Sequence, residues 1–438
     1  MNCFPPGPKR TFPGATFFSF RRDPLAFLER LARDFGDVAY LRLRGENIFF
    51  VNHPDLIRDV LVTHHSNFTK ARAFARTRQL LGKGLLTSEG DFHVRQRRMI
   101  QPAFHARRIA AFAEVMTRHA KRMANRWHDG EILDVAHEMM QLTLAVVGET
   151  LFGADLESHA SDVGAALTGT MKLLSTMMML PFAAALEKLP LPAIRKIDKI
   201  VYQLINERRA SAEKHDDLLS MLVLAQDEEN SHARMTDQQV RDEAMTIFLA
   251  GTVTTSNALS WTWYLLSEHP EVEDRLHREL DAVLGGRLPT DTDVPALPYT
   301  EKVISESLRL YPPTWMTARR ALDNYELRGY VAPARSIVMM SQYVMHHDAR
   351  YFPDPLRFDP ERWTPEFRAS LPKYAYFPFG SGSRRCIGEG FAWMEATLFL
   401  ATLAQQWKVR LVPGHAVVMQ PLVTLRPKHG LSMTVIRR

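Results

Sequence analysis

Residues 377–388 read Phe377-Pro378-Phe379-Gly380-Ser381-Gly382-Ser383-Arg384-Arg385-Cys386-Ile387-Gly388 and place one cysteine after small, flexible residues and directly before a predicted helix. A turn of this kind can present the sulfur with backbone N–H groups pointing at it. Those donors, together with Arg384 and Arg385, favour the thiolate over the thiol. The commoner fate of a lone cysteine is an inert buried side chain, so the flanking residues decide between the two interpretations.

The flanking residues resemble the haem-binding signature of the cytochrome P450 family, Phe-x-x-Gly-x-Arg-x-Cys-x-Gly. A chance match at all five fixed positions in a chain of this length is on the order of one in ten thousand. The resemblance implies that the chain binds haem b, that Cys386 is the axial thiolate ligand of the iron, and that Phe379 packs against sulfur and ring. The signature positions are filled by Phe379, Gly382, Arg384, Cys386 and Gly388.

Two further motifs belong to the same resemblance. Glu306 and Arg309 lie one turn apart on a predicted helix, which by itself is an ordinary surface pair. The later run Phe358-Asp359-Pro360-Glu361-Arg362-Trp363 makes the pair resemble the family's Glu-x-x-Arg motif with its Pro-Glu-Arg partner. The resemblance implies a buried network of Glu306, Arg309 and Arg362 that is structural rather than catalytic, and breaking such a network is costly.

Haem propionates need cationic or donor partners, for which arginine is well suited. His93 and Arg97 lie four residues apart, on one face of a predicted helix, at the family position often held by Trp-x-x-x-Arg. Arg319 matches a second such position, and Arg384 lies in the cysteine stretch itself. The resemblance implies that these four side chains bind the cofactor, whereas the alternative for each is a solvated basic residue. The neighbouring arginines are expected to be solvated: Arg95, Arg98 and Arg320.

The segment Phe248-Leu249-Ala250-Gly251-Thr252-Val253-Thr254-Thr255 resembles the family's Ala-Gly-x-acid-Thr-Thr segment. By this resemblance Gly251 opens a groove for dioxygen, and Thr254 is the catalytic hydroxyl that helps to protonate it. The alternative is a threonine-rich buried helix that bonds its own carbonyls. Val253 stands where the family has an acid, so the proton has to arrive through water, by way of Thr252 or Thr255, or by another route along the helix.

The resemblance covers nearly the whole chain and implies one domain over residues 1–438, a mostly helical prism that encloses the haem, with a minor β part. Periodicity alone favours the same class, mainly α with a minor β part. Helical spacing is seen at 24–35, over most of 53–280 and again at 388–406. Short β runs within 38–52 predict a small sheet near the N-terminus, and others near Val409 and Ser432 finish the chain. The proline-rich stretch after Arg309 predicts a long meander up to Phe379.

Composition excludes several classes of protein. The chain has 438 residues, 46% of them hydrophobic, and a net charge of +6 scattered without a nucleic-acid-binding motif, so a nucleic-acid role is not expected. Two cysteines, Cys3 and Cys386, form no disulfide framework, which favours a reducing compartment. The start lacks a signal peptide and a transmembrane anchor, so a cytoplasmic protein is expected. The uncharged run Ala244–Leu266 is rich in Thr and Ser, which predicts a buried central helix rather than a membrane span.

The substrate pocket is expected, by family position, to be largely apolar. A lipophilic substrate follows, such as a terpenoid, a fatty acid or a polyketide-like ring system. The segment 171–182 is expected to form part of an access lid, where methionine suits an adaptable surface, although a methionine stripe is more often plain core. Three arginines near the mouth suit a carboxylate: Arg72, Arg76 and Arg78. The candidate pocket residues are Phe74, Phe248, Ala250, Thr314, Met316, Val423 and Thr424.

No flavin or iron–sulfur domain is fused to the chain, so the resemblance implies that electrons come from a separate ferredoxin or flavodoxin with its reductase. NAD(P)H then acts only indirectly. The partner is expected on a basic face that includes Lys373, Arg385 and Arg98.

The leading hypothesis is a monooxygenase that uses O2 to hydroxylate or epoxidise a lipophilic small molecule. A second is oxidative coupling, isomerisation or peroxide-driven chemistry, suggested by Val253. A third is a non-catalytic haem-binding protein, which the presence of Gly251 and Thr254 disfavours.

Overall fold

The computed structural model describes residues 4–9, 14–43, 45–71, 77–78, 81–153, 169–176, 192–210, 217–226 and 234–438. Its helices are α1 (Ala15–Arg22), α2 (Pro24–Phe35), α3 (Pro54–Arg58), α4 (Gly90–Ile100), α5 (Ala106–Ala111), α6 (Ala113–Arg126), α7 (Val135–Phe152), α8 (Pro192–Ala210), α9 (Leu218–Leu224), α10 (Asp237–Glu268), α11 (Pro270–Leu284), α12 (Pro298–Leu310), α13 (Gln342–His346), α14 (Pro365–Ser370) and α15 (Glu389–Ala404). Its strands are β1 (Val38–Leu43), β2 (Glu46–Val51), β3 (Phe68–Lys70), β4 (Ile132–Asp134), β5 (Thr317–Ala321), β6 (Tyr325–Leu327), β7 (Tyr330–Ala332), β8 (Ile337–Met340), β9 (Trp407–Leu411), β10 (Met419–Pro421), β11 (Leu425–Pro427) and β12 (Ser432–Arg437).

Local signals in the sequence account for the ends of several helices. Helix α2 begins where the Asp23 side chain accepts the Ala26 N–H (3.0 Å), with Pro24 in the first turn, as expected for a capped helix start. Helix α10 begins with a capping box, in which the Thr236 hydroxyl accepts the Gln239 N–H and the Gln239 side chain accepts the Thr236 N–H. The predicted helices at 24–35 and 388–406 are therefore confirmed to within two residues at either end.

The chain divides into two compact units. The first consists of Met1–Ala75 and Glu306–Cys386, and the second of Arg76–Ser305 and Ile387–Arg438. Each unit has its own hydrophobic cluster, formed in the first around Phe49, Val338 and Phe352 and in the second around Leu219 and Phe248. The structure is mainly α with a minor β part, as predicted.

The first unit contains a five-stranded sheet in the order β1-β2-β8-β5-β3. The two β runs predicted within 38–52 are confirmed as β1 and β2, which pair antiparallel with Val38 opposite Val51. The stretch from Arg309 to Phe379, predicted as a long meander, also contains four strands that were not predicted, β5 to β8. Strand β8 is buried at all four positions and pairs parallel with β2 and antiparallel with β5. Its partner β5 carries two arginines among five residues, so no strand pattern is visible in the sequence.

The second unit is built around α10, a helix of 32 residues that packs against α7 and α15. Trp261 and Trp263 of α10 are fully buried, as expected for the predicted central helix within 244–266. A second sheet, in the order β4-β12-β9, contains the strands predicted near Val409 and Ser432. Among the described residues, no helix combines the length and the apolar character needed to span a membrane.

Candidate active site

The cysteine stretch folds into a compact turn in the first unit. The Cys386 N–H donates to the Phe379 carbonyl (3.0 Å), and the Arg385 N–H donates to the Gly382 carbonyl (3.1 Å). Both hydrogen bonds enclose a short 3₁₀ turn, Gly382–Arg384. Cys386 itself is solvent-accessible. The backbone of the turn therefore brings Phe379, Arg384 and Cys386 together and presents the thiol at its end.

Gly382 is required by the packing of this turn. Its φ of +68° lies in the left-handed region, and a Cβ at this position would lie 1.9 Å from the Leu61 carbonyl oxygen. Gly380 also has a positive φ, +69°, but a Cβ there meets nothing within 4 Å. Backbone from the segment around Leu61 thus presses directly against the cysteine turn, and only glycine fits at the contact.

Glu306, Arg309 and Arg362 are brought together in the interior of the first unit. Arg309 donates to both carboxyl oxygens of Glu306 (2.9 and 2.8 Å), and Arg362 donates to Oε1 (3.3 Å). The Trp363 indole and the Asp359 N–H also donate to Glu306 (2.9 and 3.2 Å). Both Glu306 and Arg309 are fully buried. The carboxylate is saturated with donors, which is the condition under which a buried ion pair is tolerated.

Arg309 also ties this network to backbone carbonyls further along the chain. Its guanidinium donates to the carbonyls of His346 (2.9 Å), Pro355 (2.6 Å) and Arg357 (3.0 Å). The contacts of Trp363 and of these carbonyls were not predicted. The two sequence motifs identify the charged groups of the network but not the other groups that bind to them.

His346 connects the Glu306 network to the cysteine turn. Its Nε2 accepts the Phe377 N–H (3.1 Å), and its ring packs against Tyr376 and Phe377. The side chain is completely buried, and burial holds the pKa of His346 well below its usual value. A neutral ring with Nε2 unprotonated is the tautomer that this hydrogen bond requires. Phe377, the first residue of the stretch that carries Cys386, is therefore held by the His346 side chain, and the backbone carbonyl of His346 is in turn held by Arg309.

Three predicted residues of the first unit lie on or near strand β5. Thr314 and Met316, just before the strand, are partly exposed. Arg319, also partly exposed, donates from Nη1 to the Thr317 hydroxyl and to the Ala318 carbonyl (both 3.1 Å).

The middle of α10 has an accessible face made of small residues. Ala250 is exposed and Gly251 and Thr254 are partly exposed, although Leu249, Thr252 and Val253 beside them are buried. The Thr254 hydroxyl donates to the Ala250 carbonyl (2.6 Å), so its lone pairs remain on the accessible side. Two predicted catalytic residues thus share one face of the helix.

Thr252 has a different environment from Thr254. It is completely buried, its hydroxyl donates to the Phe248 carbonyl (2.8 Å), and its carbonyl accepts the Thr143 hydroxyl of α7 (3.2 Å). Phe248 is buried as well and packs against Phe152. The structure therefore assigns both side chains to the α7–α10 contact, and it brings neither to the face that carries Thr254.

Helix α4 carries the other predicted cofactor-binding pair. His93 is buried, with its Nδ1 3.0 Å from the Ser88 hydroxyl, and Arg97 one turn later is partly exposed. Near this helix the Arg78 guanidinium donates twice to the Thr87 carbonyl (2.9 and 2.8 Å). One of the three arginines expected to attract a carboxylate is thus engaged with the backbone.

The remaining pocket predictions concern the loop between β10 and β11. The buried Thr424 hydroxyl accepts the Asn257 side-chain N–H of α10 (3.0 Å), and Val423 packs against the hydrophobic cluster of the second unit. Asn257 was not predicted, although its place one turn after Thr254 marks it as a polar residue on the central helix. The predictions for Phe74, Arg72, Arg76 and residues 177–182 concern positions outside the described residues.

The residues that are present fit a haem-thiolate group. The first unit offers one accessible thiol at a backbone-fixed turn and a partly exposed arginine, Arg319. The second unit offers a helix face of small side chains beside a threonine hydroxyl. A thiol for the iron, cationic donors for propionates and room at the central helix are the three requirements of such a group.

Comparisons with known proteins agree with this assignment. The sequence model of the family described as "Cytochrome P450" matches residues 5–434. Cyclooctatin synthase of Streptomyces melanosporofaciens is 40% identical over 413 residues, with 92% of this chain and 89% of the relative covered. Cyclooctat-9-en-7-ol 5-monooxygenase of the same organism is 39% identical over 411 residues, covering 92% and 88%. The crystal structure of the cytochrome P450DA haem domain matches with a TM-score of 0.90 at 27% identity, covering 99% of this chain and 98% of that one.

Proposed function

The chain belongs to the cytochrome P450 family, and from this premise we propose that it is a monooxygenase that inserts one oxygen atom of O2 into a cyclic terpenoid. As a family member it is an oxidoreductase that binds haem through a cysteine thiolate and uses O2 with electrons supplied by redox partners. The observation that carries the proposal is the turn that fixes Cys386 at the end of a completely matched signature.

The residues of the chain divide into three roles. Cys386 supplies the thiolate, and the turn closed by Phe379 and Gly382 holds it in place. His93, Arg97, Arg319 and Arg384 supply cationic or donor groups for the propionates. Thiolate ligation makes the bound haem able to cleave O2. The proton that this chemistry consumes is held and oriented by the Thr254 hydroxyl, on the accessible face that Gly251 keeps open.

A cyclic terpenoid is the substrate class that the chain supports best. The monooxygenase at 39% identity is named for cyclooctat-9-en-7-ol, a cyclic alcohol. The accessible candidate pocket residues include apolar Ala250, Met316 and Val423, which suit a hydrocarbon ring. A fatty acid is less well supported, because Arg78 is already bonded to the Thr87 carbonyl.

The first test compares the reduced, carbon-monoxide-bound absorption spectra of the wild type, Cys386→Ala and the control Ser383→Ala. The control residue lies in the same turn and is exposed. We expect the red-shifted Soret band of thiolate ligation in the wild type and in the control, and its loss in Cys386→Ala. A haem-loaded wild type without that band would contradict the assignment of Cys386.

The second test concerns the reaction. Cyclic terpenoid hydrocarbons and alcohols are screened by the shift of the haem spin state, with fatty acids of similar size for comparison, and hits are incubated with 18O2 and an electron supply. We expect one labelled oxygen atom per product. Products formed without label, or formed only with peroxide, would instead favour the second candidate function, oxidative coupling, isomerisation or peroxide-driven chemistry, which Val253 at the acid position keeps open.

We propose a ferredoxin or flavodoxin, with its reductase, as the electron donor. Lys373 and Arg385 are both exposed in the first unit and offer positive charge to an acidic partner. Reversing both charges should slow haem reduction and flatten its salt dependence, whereas unchanged kinetics would exclude this surface.

We also propose that residues 1–438 act as one catalytic domain, since the family match is continuous. We further propose that the protein works in the reducing cytoplasm, which its two cysteines suit.

A further inference from the structure

Helix α3 continues into one turn of π-helix, Asp59–Thr63, in the first unit. The hydrogen bond of this turn runs from the His64 N–H to the Asp59 carbonyl (2.8 Å). π turns are rare, occur mostly as single turns within helices and are frequent at functional sites. The extra residue rotates the chain that follows by about 100° relative to an α-helix. The π register therefore decides which backbone groups of the turn face their neighbours.

The π turn lies against the cysteine turn, backbone to backbone. A Cβ on Gly382 would lie 1.9 Å from the Leu61 carbonyl oxygen and 3.5 Å from the Val62 side chain. The contact can form only because Gly382 has no side chain. The position of the Leu61 carbonyl, which belongs to the π turn, thus limits where the backbone of the cysteine turn can lie.

Both ends of the π turn meet the side chain of one tyrosine from strand β6. The Tyr325 hydroxyl donates to Asp59 Oδ2 (3.2 Å) and lies 3.5 Å from His64 Nδ1. The Tyr325 ring packs edge-on against the rings of His64 and Phe68, with centroids 5.6 and 4.9 Å apart. His64 Nδ1 also lies 3.7 Å from Asp59 Oδ1. Asp59, His64 and Tyr325 therefore form a closed cluster around the hydrogen bond that defines the π turn.

Tyr325 is suited to hold this turn. Its side chain is buried in the hydrophobic cluster of the first unit, together with Val60 and Leu61 of the π turn itself. Burial, followed by the nearby Asp59 carboxylate, raises the pKa of Tyr325 above its usual value. The phenol therefore keeps its proton and remains a donor to the carboxylate, and a hydrogen bond to a charged acceptor is stronger than one between neutral groups.

The environment of the Cys386 sulfur depends on how the cysteine turn is held. Backbone groups around a ligand sulfur orient it and tune the reduction potential of the iron that it binds. In this turn the Cys386 N–H is bonded to the Phe379 carbonyl, and the Arg385 N–H is bonded to the Gly382 carbonyl. A shift of Gly382 therefore also moves the backbone that immediately precedes the cysteine.

We propose that Tyr325 is a positioning residue for the Cys386 thiolate, because it holds both ends of the π turn and thereby keeps the Leu61 carbonyl against Gly382. The proposal rests on the proposed function, in which Cys386 binds the haem iron. Without the Tyr325 hydroxyl the π turn loses the bond to Asp59, and the cysteine turn loses a fixed neighbour. The sulfur is then presented in a wider range of orientations.

The first experiment compares the wild type with Tyr325→Phe and with the control Tyr330→Phe, which removes a phenol hydroxyl from strand β7 of the same two-stranded sheet. Resonance Raman spectroscopy of the ferric holoprotein measures the Fe–S stretching band, and redox titration measures the reduction potential. We expect a shifted, broader band and a lower potential in Tyr325→Phe only. A purely structural role of Tyr325 would lower the unfolding temperature and leave both properties of the folded protein unchanged.

A second experiment uses two substitutions of Asp59 that remove the same charge. Asparagine keeps an oxygen that can accept the Tyr325 hydroxyl, whereas alanine does not. We expect Asp59→Ala to broaden the Fe–S band as Tyr325→Phe does, and Asp59→Asn to keep the narrow band. Because the two groups form one bond, the double variant Asp59→Ala/Tyr325→Phe should show no further change beyond either single variant.

An Fe–S band and a potential that are the same in Tyr325→Phe and Tyr330→Phe overturn the proposal, and so do additive effects in the double variant. If Tyr325→Phe does not bind haem, the comparison of Asp59→Asn with Asp59→Ala decides, and equal bands in these two variants overturn the proposal. Failure of the proposed function is distinguished by the wild type itself, which then has no thiolate band in its carbon-monoxide spectrum.

Discussion

Two glutamates are fully buried, one in each unit, and they differ in their hydrogen-bond partners and in their protonation. Glu306 receives hydrogen bonds from Arg309, Arg362, the Trp363 indole and a backbone N–H. The carboxyl oxygens of Glu395 form no hydrogen bond of normal geometry among the described residues, and the Thr255 hydroxyl is the one polar group that lowers its pKa. Equal burial therefore produces a charge fixed by its partners in one unit and a neutral acid in the other. The first arrangement ties α12 to the segment around Arg362, and the second leaves a carboxyl group that is protonated at pH 7.

The largest change in stability is expected when Arg309 and Arg362 lose the Glu306 carboxylate. Glu306→Gln removes the charge that pairs with Arg309 and Arg362, both of which remain buried, and breaking a buried pair in this way costs about 3–5 kcal/mol. We expect the free energy of unfolding, measured by urea denaturation of the holoprotein, to fall by about that amount. The exposed Glu301 of the same helix gives the control, since Glu301→Gln should change stability by less than about 0.5 kcal/mol. Equal effects of the two substitutions would show that the network is not structural.

A second prediction uses pH to separate the two glutamates. In the unfolded chain Glu395 titrates near 4.5, and in the folded protein near 8. The folded state therefore binds the extra proton between these values, and the stability that Glu395 contributes is full below pH 4.5 and is lost as the pH rises to about 8. Glutamine does not ionise, so Glu395→Gln should not lose stability over this pH range.

This pH dependence is measured as the free energy of unfolding in urea, for the wild type and Glu395→Gln, at pH 5, 7 and 9. We expect the free energy of unfolding of the variant to rise relative to that of the wild type as the pH increases, by a few kcal/mol in total. The difference should become constant above pH 8. A difference that does not vary with pH would mean that Glu395 is ionised in the folded protein. Glu389→Gln, at the start of the same helix, serves as the control.

The same contrast explains how far the sequence could be read. Glu306, Arg309 and Arg362 stand in motifs whose spacing was sufficient to predict that they meet. Strand β5 was not predicted, because its residues show no alternation of apolar and polar side chains. It is formed by pairing with β3 and β8, and β3 is distant in the sequence. Glu395 has no motif at all. Its only sequence signal is a single charge inside the apolar run of α15, and whether such a charge is paired depends on which helix packs over it.

The smallest effect is expected at His346, which tests whether the donors of the first unit matter for the thiolate as well as for stability. His346→Leu leaves the Phe377 N–H buried without its acceptor, at a cost of about 1–3 kcal/mol, and His346→Gln can restore an acceptor at the same place. Because burial keeps His346 neutral, the effect should not change between pH 6 and 8. We expect the carbon-monoxide complex of His346→Leu to lose part of its thiolate band on mild warming, at temperatures where the wild type and His346→Gln keep it. Loss of the band only at the unfolding temperature, equally in both variants, would mean that His346 stabilises the unit without positioning the cysteine turn.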